Sequence, residues 1–596
     1  MLAPDARTVA VDLLRPPPEH TLDRVVLTTY SLDLETLLAL PFAVLTHSDG
    51  GLEEMLADPL TLLTALRQSG EKVQVFVDEG AIAIPAGARP LYAMLEASVH
   101  PVRAPHGGAF HPKVWVARFL DPAGAPVLRV AVLSRNLTFD RCWDIALATD
   151  GAPRGKQRSA ASRGLGELLR SLPRVSTQGV SEQLTADLLA LADEAERTNF
   201  ASPAGFDGAV HFHPLGLGPR RRKPWQPRDD GGRLLAIAPF ANKTALDVLT
   251  AITAADRTLV SRQETLDDLP NGALDAWQSV LVLADAAAEE PEDGTGPRPS
   301  GLHAKAIAIE HGWDVTWFVG SANLTAAAFT GTNVEMMVSL TGKKSRREAG
   351  GIDRFMEDGF MAICKPYVPS KPLLDELAKA AHASLEVTRK ALAAAPLRVV
   401  CAAGSQDSWT WTVVGDFVPP PGIEVETWPI TLGEDQARQL VSPSIWIVPL
   451  PRLTAFVAFK ISCTVAAVDD VRITLKLPTE GMPDGRVAHV LRSLIDSPER
   501  FLRFLRALLG GLEGLTELPA GDGSGTGGSW WVEGLGGETL LEDLVRAASR
   551  DPSRLTPIRN LIADLRATEE GRLIVPDALY EIWTVVDQAL ITQETA

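Results

Sequence analysis

The chain has 596 residues, 45% of them hydrophobic and 22% charged, with a formal net charge of −18. That length is more than one hydrophobic core covers, so three or four domains are expected. The acidic balance excludes a protein that coats nucleic acid indiscriminately, though not a locally basic groove.

Taken from the start, Met1 to Arg7 lacks a basic stretch followed by an apolar one, so no signal peptide is expected. No apolar run reaches the roughly 18 residues that a membrane span needs. The four cysteines (Cys142, Cys364, Cys401, Cys463) are widely scattered, which suggests neither a zinc knuckle nor a disulfide framework. They are read as buried thiols in a reducing compartment, and the expected location is cytoplasmic, without membrane contact.

Arg24 to Asp33 reads as a strand running into a helix from Leu34, and Val73 to Val77 as a second strand. His111 to Phe119 and Val127 to Leu133 follow as strands. Ser181 caps a helix whose apolar stripe is Leu184, Leu188, Leu191 and Ala195. After a Pro- and Arg-rich passage from His213 to Gly232, the order repeats. Arg233 to Ile237 leads into a helix from Lys243, with strands at Thr258 to Val260, Ser279 to Leu283, Ala304 to Glu310 and Val315 to Val319. The acidic, breaker-rich segment Glu289 to Ser300 ends just before His303, as a flap or as an inert surface loop. Alternation of strands and helices through both halves implies an α/β fold of mixed sheets covered by helices. Beyond about residue 390, strands without intervening helices indicate a β-rich module. A helix begins at Ser497, a Gly/Ser loop spans Gly521 to Ser529 before Trp530 and Trp531, and a helical tail closes the chain. The tryptophans of this third (Trp409, Trp411, Trp428, Trp446) are read as core rather than as a stacking surface. Basic clusters at Arg154 to Arg163, Arg220 to Lys223 and Lys343 to Arg347 are read as solvated loops more than as phosphate tracks.

The chemistry is carried by a repeat. His111-Pro-Lys113 precedes Ser134-Arg-Asn136-Leu-Thr, and 192 residues later His303-Ala-Lys305 precedes Ser321-Ala-Asn323-Leu-Thr. Residues two apart in a strand share a face, so each His emerges with its Lys and each Ser with its Asn. If the two strands of each half pair, the four side chains form one patch. Two patches facing across a pseudo-twofold put imidazoles on opposite sides of a phosphate. One attacks phosphorus and the other protonates the leaving oxygen, while two Lys and two Asn hold the non-bridging oxygens. Glu335 and Asp144 stand at comparable places in the two halves as carboxylates able to orient an imidazole. His106, His211, His213 and His311 have no repeat partner and are left as structural.

These residues resemble the phospholipase D superfamily, whose halves each carry His-x-Lys followed by Gly-Ser-x-Asn. The resemblance covers about residues 20 to 370. The second copy matches closely, and the first has Leu133 where Gly is expected. Arg118 and Glu310 stand where lipid-acting members carry Asp, which is more like the nuclease and tyrosyl-DNA phosphodiesterase branch. Residues Thr29 to Glu35 are also similar to the opening strand of that branch. The resemblance implies two pseudo-symmetric lobes, 1–212 and 213–390; the texture of the rest of the chain, outside the resemblance, indicates a β-rich module with helices, 391–518, and a Gly-rich loop with helical tail, 519–596. It implies a metal-independent phosphodiesterase, with no cofactor, that cleaves nucleic acid, DNA before RNA, through a phosphohistidine. His111 would be the nucleophile and His303 the general acid. A bacterial defence or restriction nuclease, delivered to DNA by a helicase or other ATPase, is the expected setting. Two alternatives stay open: a non-catalytic nucleic-acid-binding scaffold with a relaxed site, and a lipid phosphodiesterase.

Overall fold

The computed structural model of the chain describes residues 13–45, 72–138, 142–284, 301–370, 376–505, 544 and 555–594, less a few short gaps inside those ranges. The segments 289–300 and 521–531, together with Arg220 to Arg222 and Arg347, for which expectations were given above, lie outside the described residues.

The first half is a six-stranded sheet of order β3-β2-β1-β4-β5-β6. Its strands are β1 (Thr21–Thr29), β2 (Val73–Asp78), β3 (Val99–Val102), β4 (Val114–Leu120), β5 (Pro126–Leu133) and β6 (Ala146–Gly151). The second half holds β7 (Phe206–Leu215), β8 (Arg233–Ile237), β9 (Arg257–Ser261), β10 (Ser279–Leu283), β11 (Ala306–His311), β12 (Asp314–Gly320), β13 (Glu335–Lys343) and β14 (Cys364–Pro366). Their order is β14-β10-β9-β8-β11-β12-β13-β7. Without its two edge strands β14 and β7, this sheet repeats the first. Three parallel strands (β1, β2, β3 or β8, β9, β10) adjoin an antiparallel run (β4, β5, β6 or β11, β12, β13). β7 runs through the expected start of the second lobe and pairs with β13.

Alternation along the strands decides which face meets what. Val26, Phe76, Val116 and Val130 of the first sheet and Leu235, Ile237, Trp317 and Val338 of the second belong to one core. Helices α2 (Arg163–Val175) and α3 (Glu182–Glu196) close its side through Leu165, Leu172, Leu188 and Leu191. The outer face of the second sheet is covered by α4 (Lys243–Thr250) through Ala245, Leu246 and Leu249. The outer face of the first sheet (Val25, Leu27, Val75, Trp115) packs on α1 (Leu34–Leu45), α5 (Glu376–Ala393) and the C-terminal module.

That module has two four-stranded sheets, β19-β16-β15-β22 and β18-β17-β20-β21. The first comprises β15 (Arg398–Ala403), β16 (Ser408–Val414), β19 (Ser444–Pro449) and β22 (Thr479–Glu480). The second comprises β17 (Ile423–Pro429), β18 (Arg438–Gln439), β20 (Phe456–Cys463) and β21 (Val471–Lys476). Trp411, Trp428 and Trp446 are buried here as expected, and Trp409 is half-buried. Helices Thr556–Arg566 and Asp577–Glu594 pack against the same core through Ile558, Leu561 and Trp583. The module is welded to the first lobe by polar bonds as well. Glu96 accepts from Arg486 (2.7 Å), the Thr454 hydroxyl and the Ala455 amide. Among the described residues, no helix is long and apolar enough to cross a membrane. Among the described residues no cysteine forms a disulfide; Cys401 is buried as expected, whereas Cys142, Cys364 and Cys463 are only half-buried.

Candidate active site

Both His-x-Lys segments lie just ahead of the strands expected to contain them. β4 starts at Val114 and β11 at Ala306, so His111, Lys113, His303 and Lys305 sit in extended chain at the strand entrances. The reason is the partner. Instead of continuing the ladder of its own sheet, each segment bridges to the opposite lobe. Phe110 pairs with Val334, and the His111 amide donates to the Val334 carbonyl (2.9 Å). Leu302 pairs with Trp143, and the His303 amide donates to the Trp143 carbonyl (3.0 Å). A Cβ at Gly108 would stand 2.4 Å from the Thr332 carbonyl oxygen, so this approach requires glycine there.

Val334 and Trp143 immediately precede Glu335 and Asp144. The two bridges therefore deliver each carboxylate to the histidine of the other half. His111 Nδ1–H donates to Glu335 Oε2 and His303 Nδ1–H to Asp144 Oδ1, both at 2.8 Å. This leaves each Nε2 for chemistry, since the carboxylate fixes the tautomer. The serines complete the same device. Ser134 Oγ–H donates to Asp144 Oδ1 (2.7 Å) while accepting from the Ile145 amide (2.8 Å). Ser321 Oγ–H donates to Glu335 Oε2 (2.5 Å) while accepting from the Met336 amide (3.0 Å). Each lysine donates to the carbonyl of its own histidine, Lys113 at 3.0 Å and Lys305 at 2.6 Å. Both have two further N–H groups for an anion. Asn136 and Asn323 each keep a buried amide oxygen without a hydrogen-bond partner. Either amide turned by 180° would offer NH2 at that place.

Burial shapes the charges. Lys113, Lys305, Glu335, Ser134 and Ser321 are fully buried, and His111 is 9% exposed. Burial lowers His111 to about 4 against the pull of Glu335, so its imidazole is neutral. His303 is lowered by burial as well, opposed by its bond to Asp144. Burial pushes Asp144 and Glu335 up, but their histidines, serines and lysines outweigh it and hold both carboxyls below the usual range. Burial lowers Lys113 strongly and brings Lys305 to about 8. Two buried cations facing two buried carboxylates and two neutral imidazoles make a pocket suited to a phosphate diester.

The departure at Leu133 leaves no mark on this geometry. The Leu133 amide donates to the Lys113 carbonyl (2.9 Å), as the Gly320 amide does to Lys305 (3.3 Å). Glycine is needed only at 320, where φ is +154° and a Cβ would stand 2.2 Å from the Met336 carbonyl oxygen. Of the ten residues singled out from the repeat, eight are joined by these bonds, and Asn136 and Asn323 follow Ser134 and Ser321 by two residues. Sequence reasoning missed Tyr30, whose ring lies 5.2 Å from that of His111, and Asp78, which accepts from the Phe110 amide (2.5 Å). Neither carries a repeat signal. The basic clusters lie elsewhere: Arg158 pairs with Asp193 and Glu196, Lys343 with Asp314 and Arg346 with Asp207. Arg118 pairs with Glu194 and Asp23, and Glu310 accepts from the Ile352 amide.

The site is a two-histidine, two-lysine centre built by two topologically equivalent lobes. No family model matches the sequence, and no curated protein does. The chain is similar to the crystal structure of yeast tyrosyl-DNA phosphodiesterase, at 11% identity and a TM-score of 0.33, over 57% of this chain and 88% of the other. A histidine-to-arginine variant of that yeast enzyme is similar at 12% identity and a TM-score of 0.35, over 56% and 85%. Likeness at this level leaves the chemistry to be argued from the site itself.

Proposed function

We propose that the chain is a metal-independent phosphodiesterase of the phospholipase D type, acting on nucleic acid through a phosphohistidine. The observation that carries this is the exchange of carboxylates: His111 held by Glu335 and His303 by Asp144, each from the other lobe. In the proposed cycle, His111 Nε2 attacks phosphorus and the P–O bond to the leaving group breaks. His303, protonated with the dianionic surroundings of Asp144 and the bound phosphate, gives its Nε2 proton to the leaving oxygen. It then takes a proton from the water that attacks the phosphohistidine, and the P–N bond breaks. Lys113, Lys305, Asn136 and Asn323 hold the non-bridging oxygens throughout. The order of the two histidines follows the family resemblance. The lowering of His111 by burial, to about 4, suits a nucleophile that must be a free base. DNA is the preferred substrate by the same resemblance.

The test is cutting of single- and double-stranded DNA and RNA by the purified chain in EDTA, beside His111→Ala and His303→Ala. EDTA-resistant cutting by the parent, lost in both variants, is the expected result. Tight binding without cutting would replace this reading with the scaffold, and turnover of phosphatidylcholine would replace it with the lipid enzyme.

A further inference from the structure

The two halves agree in topology but not in what they carry at the rim. Leu137 and Leu324 follow the motif asparagines and bridge to Leu32 and Ala241, so Ser31 in the first lobe corresponds to Phe240 in the second. Strand register (Leu27 with Trp115, Ala236 with Ile307; Thr28 with Phe76, Ile237 with Val260) likewise makes Asp78 the counterpart of Arg262. The polarity is inverted. Asp78 accepts from the amide of Phe110, one residue before His111, whereas Arg262 Nε–H donates to the carbonyl of Leu302, one residue before His303 (2.7 Å). The second lobe thus presents a cation and an aromatic ring where the first presents a carboxyl and a hydroxyl.

Phe240 is 49% exposed, yet it is not on a loose loop. Its carbonyl accepts from the Leu324 amide (3.0 Å), and the Pro239 carbonyl before it accepts from the Thr265 hydroxyl (2.7 Å). The Arg262 guanidinium lies over the ring, 5.4 Å from its centroid. A large apolar ring standing in solvent, on backbone bonded to the residue after Asn323 and backed by a guanidinium, has no use in the core. It matches the stacking surfaces on which single-stranded nucleic acid lays its bases, and Arg262 can meet a neighbouring phosphate.

Resting on the nucleic-acid reading above, we infer that Phe240 and Arg262 form a base-stacking subsite for a nucleotide flanking the scissile phosphate. The strand is thereby polarised toward the second lobe. Bases must be unpaired to stack in this way, so the substrate class is a single strand or an unpaired end.

The test uses the full chain and oligonucleotides in which single abasic residues are walked along both sides of the cut. Phe240→Ala should raise KM and Kd roughly tenfold on the intact strand, with kcat little changed. It should do nothing further on the strand whose stacked base is missing, and Phe240→Trp should restore the parent values. Arg262→Ala should flatten the salt dependence of binding by about one phosphate contact. Equal effects of Phe240→Ala on intact and abasic strands, or none on either while the parent cuts, would overturn the subsite and leave the phosphodiesterase reading standing. A folded parent that neither binds nor cuts any strand would remove both.

Discussion

At the scale of single residues, the function of the site depends on which atoms are protonated. Glu335 is fully buried and bonded to His111 and Ser321. Glu335→Gln keeps the shape but loses the charge that fixes the imidazole, and kcat should fall roughly a hundredfold or more, read by single-turnover cleavage. Ser321→Ala removes one charge-assisted bond and should cost less, about tenfold. The pH dependence follows from the same groups. His111 is held at about 4, below its ordinary 6.5, so the folded chain resists a proton that the unfolded chain accepts. Its contribution to stability is complete above 6.5, declines as pH falls, and is gone below about 4. The urea midpoint of the parent should therefore drop more steeply through that window than that of His111→Asn. On the alkaline side, Lys305, lowered to about 8 by burial, loses its charge as pH rises. Activity should decline above that value, and Lys305→Arg should carry the decline upward.

At the scale of elements, the repeat was legible because strand periodicity and duplicated motifs are local. The strands that follow the His-x-Lys motifs lie where alternation of apolar residues put them, less the motif residues themselves, and strands do fill the module beyond residue 390. What stayed hidden was pairing between distant segments. Nothing in the spacing of Asp144 and Glu335 from their own motifs says that each serves the other half, because the bridges Phe110–Val334 and Trp143–Leu302 are set by how two sheets face each other. Helix α2 was missed since it begins in a run read as a basic loop, and α5 because its first turns follow a proline-rich connection. The departure from glycine at Leu133 is also decided at the level of elements. Strand β12 ends at a position where only glycine clears the Met336 carbonyl, whereas β5 ends on ordinary backbone. Gly320→Ala should accordingly cost about 2 kcal/mol or more and abolish cutting, as read by urea unfolding and nuclease assay.

At the scale of the whole molecule, the described part of the C-terminal third belongs to the first lobe's core rather than to an appendage, since Val25, Leu27 and Trp115 share one cluster with Trp411, Phe456 and Leu561. Glu96→Ala would strand the buried Arg486 without its partner and should destabilise by about 3–5 kcal/mol. Calorimetry should show the first lobe and the module still melting together. The crossed carboxylates have a consequence for descent. A single lobe holds a histidine without its acceptor and a carboxylate without its donor, so an unduplicated ancestor could have acted only as a symmetric pair, each copy completing its twin. Within this chain the same symmetry relates the two halves, whose sheets share one strand order. The halves differ at their rims but not at the exchanged residues, where a change in one lobe disables the histidine of the other.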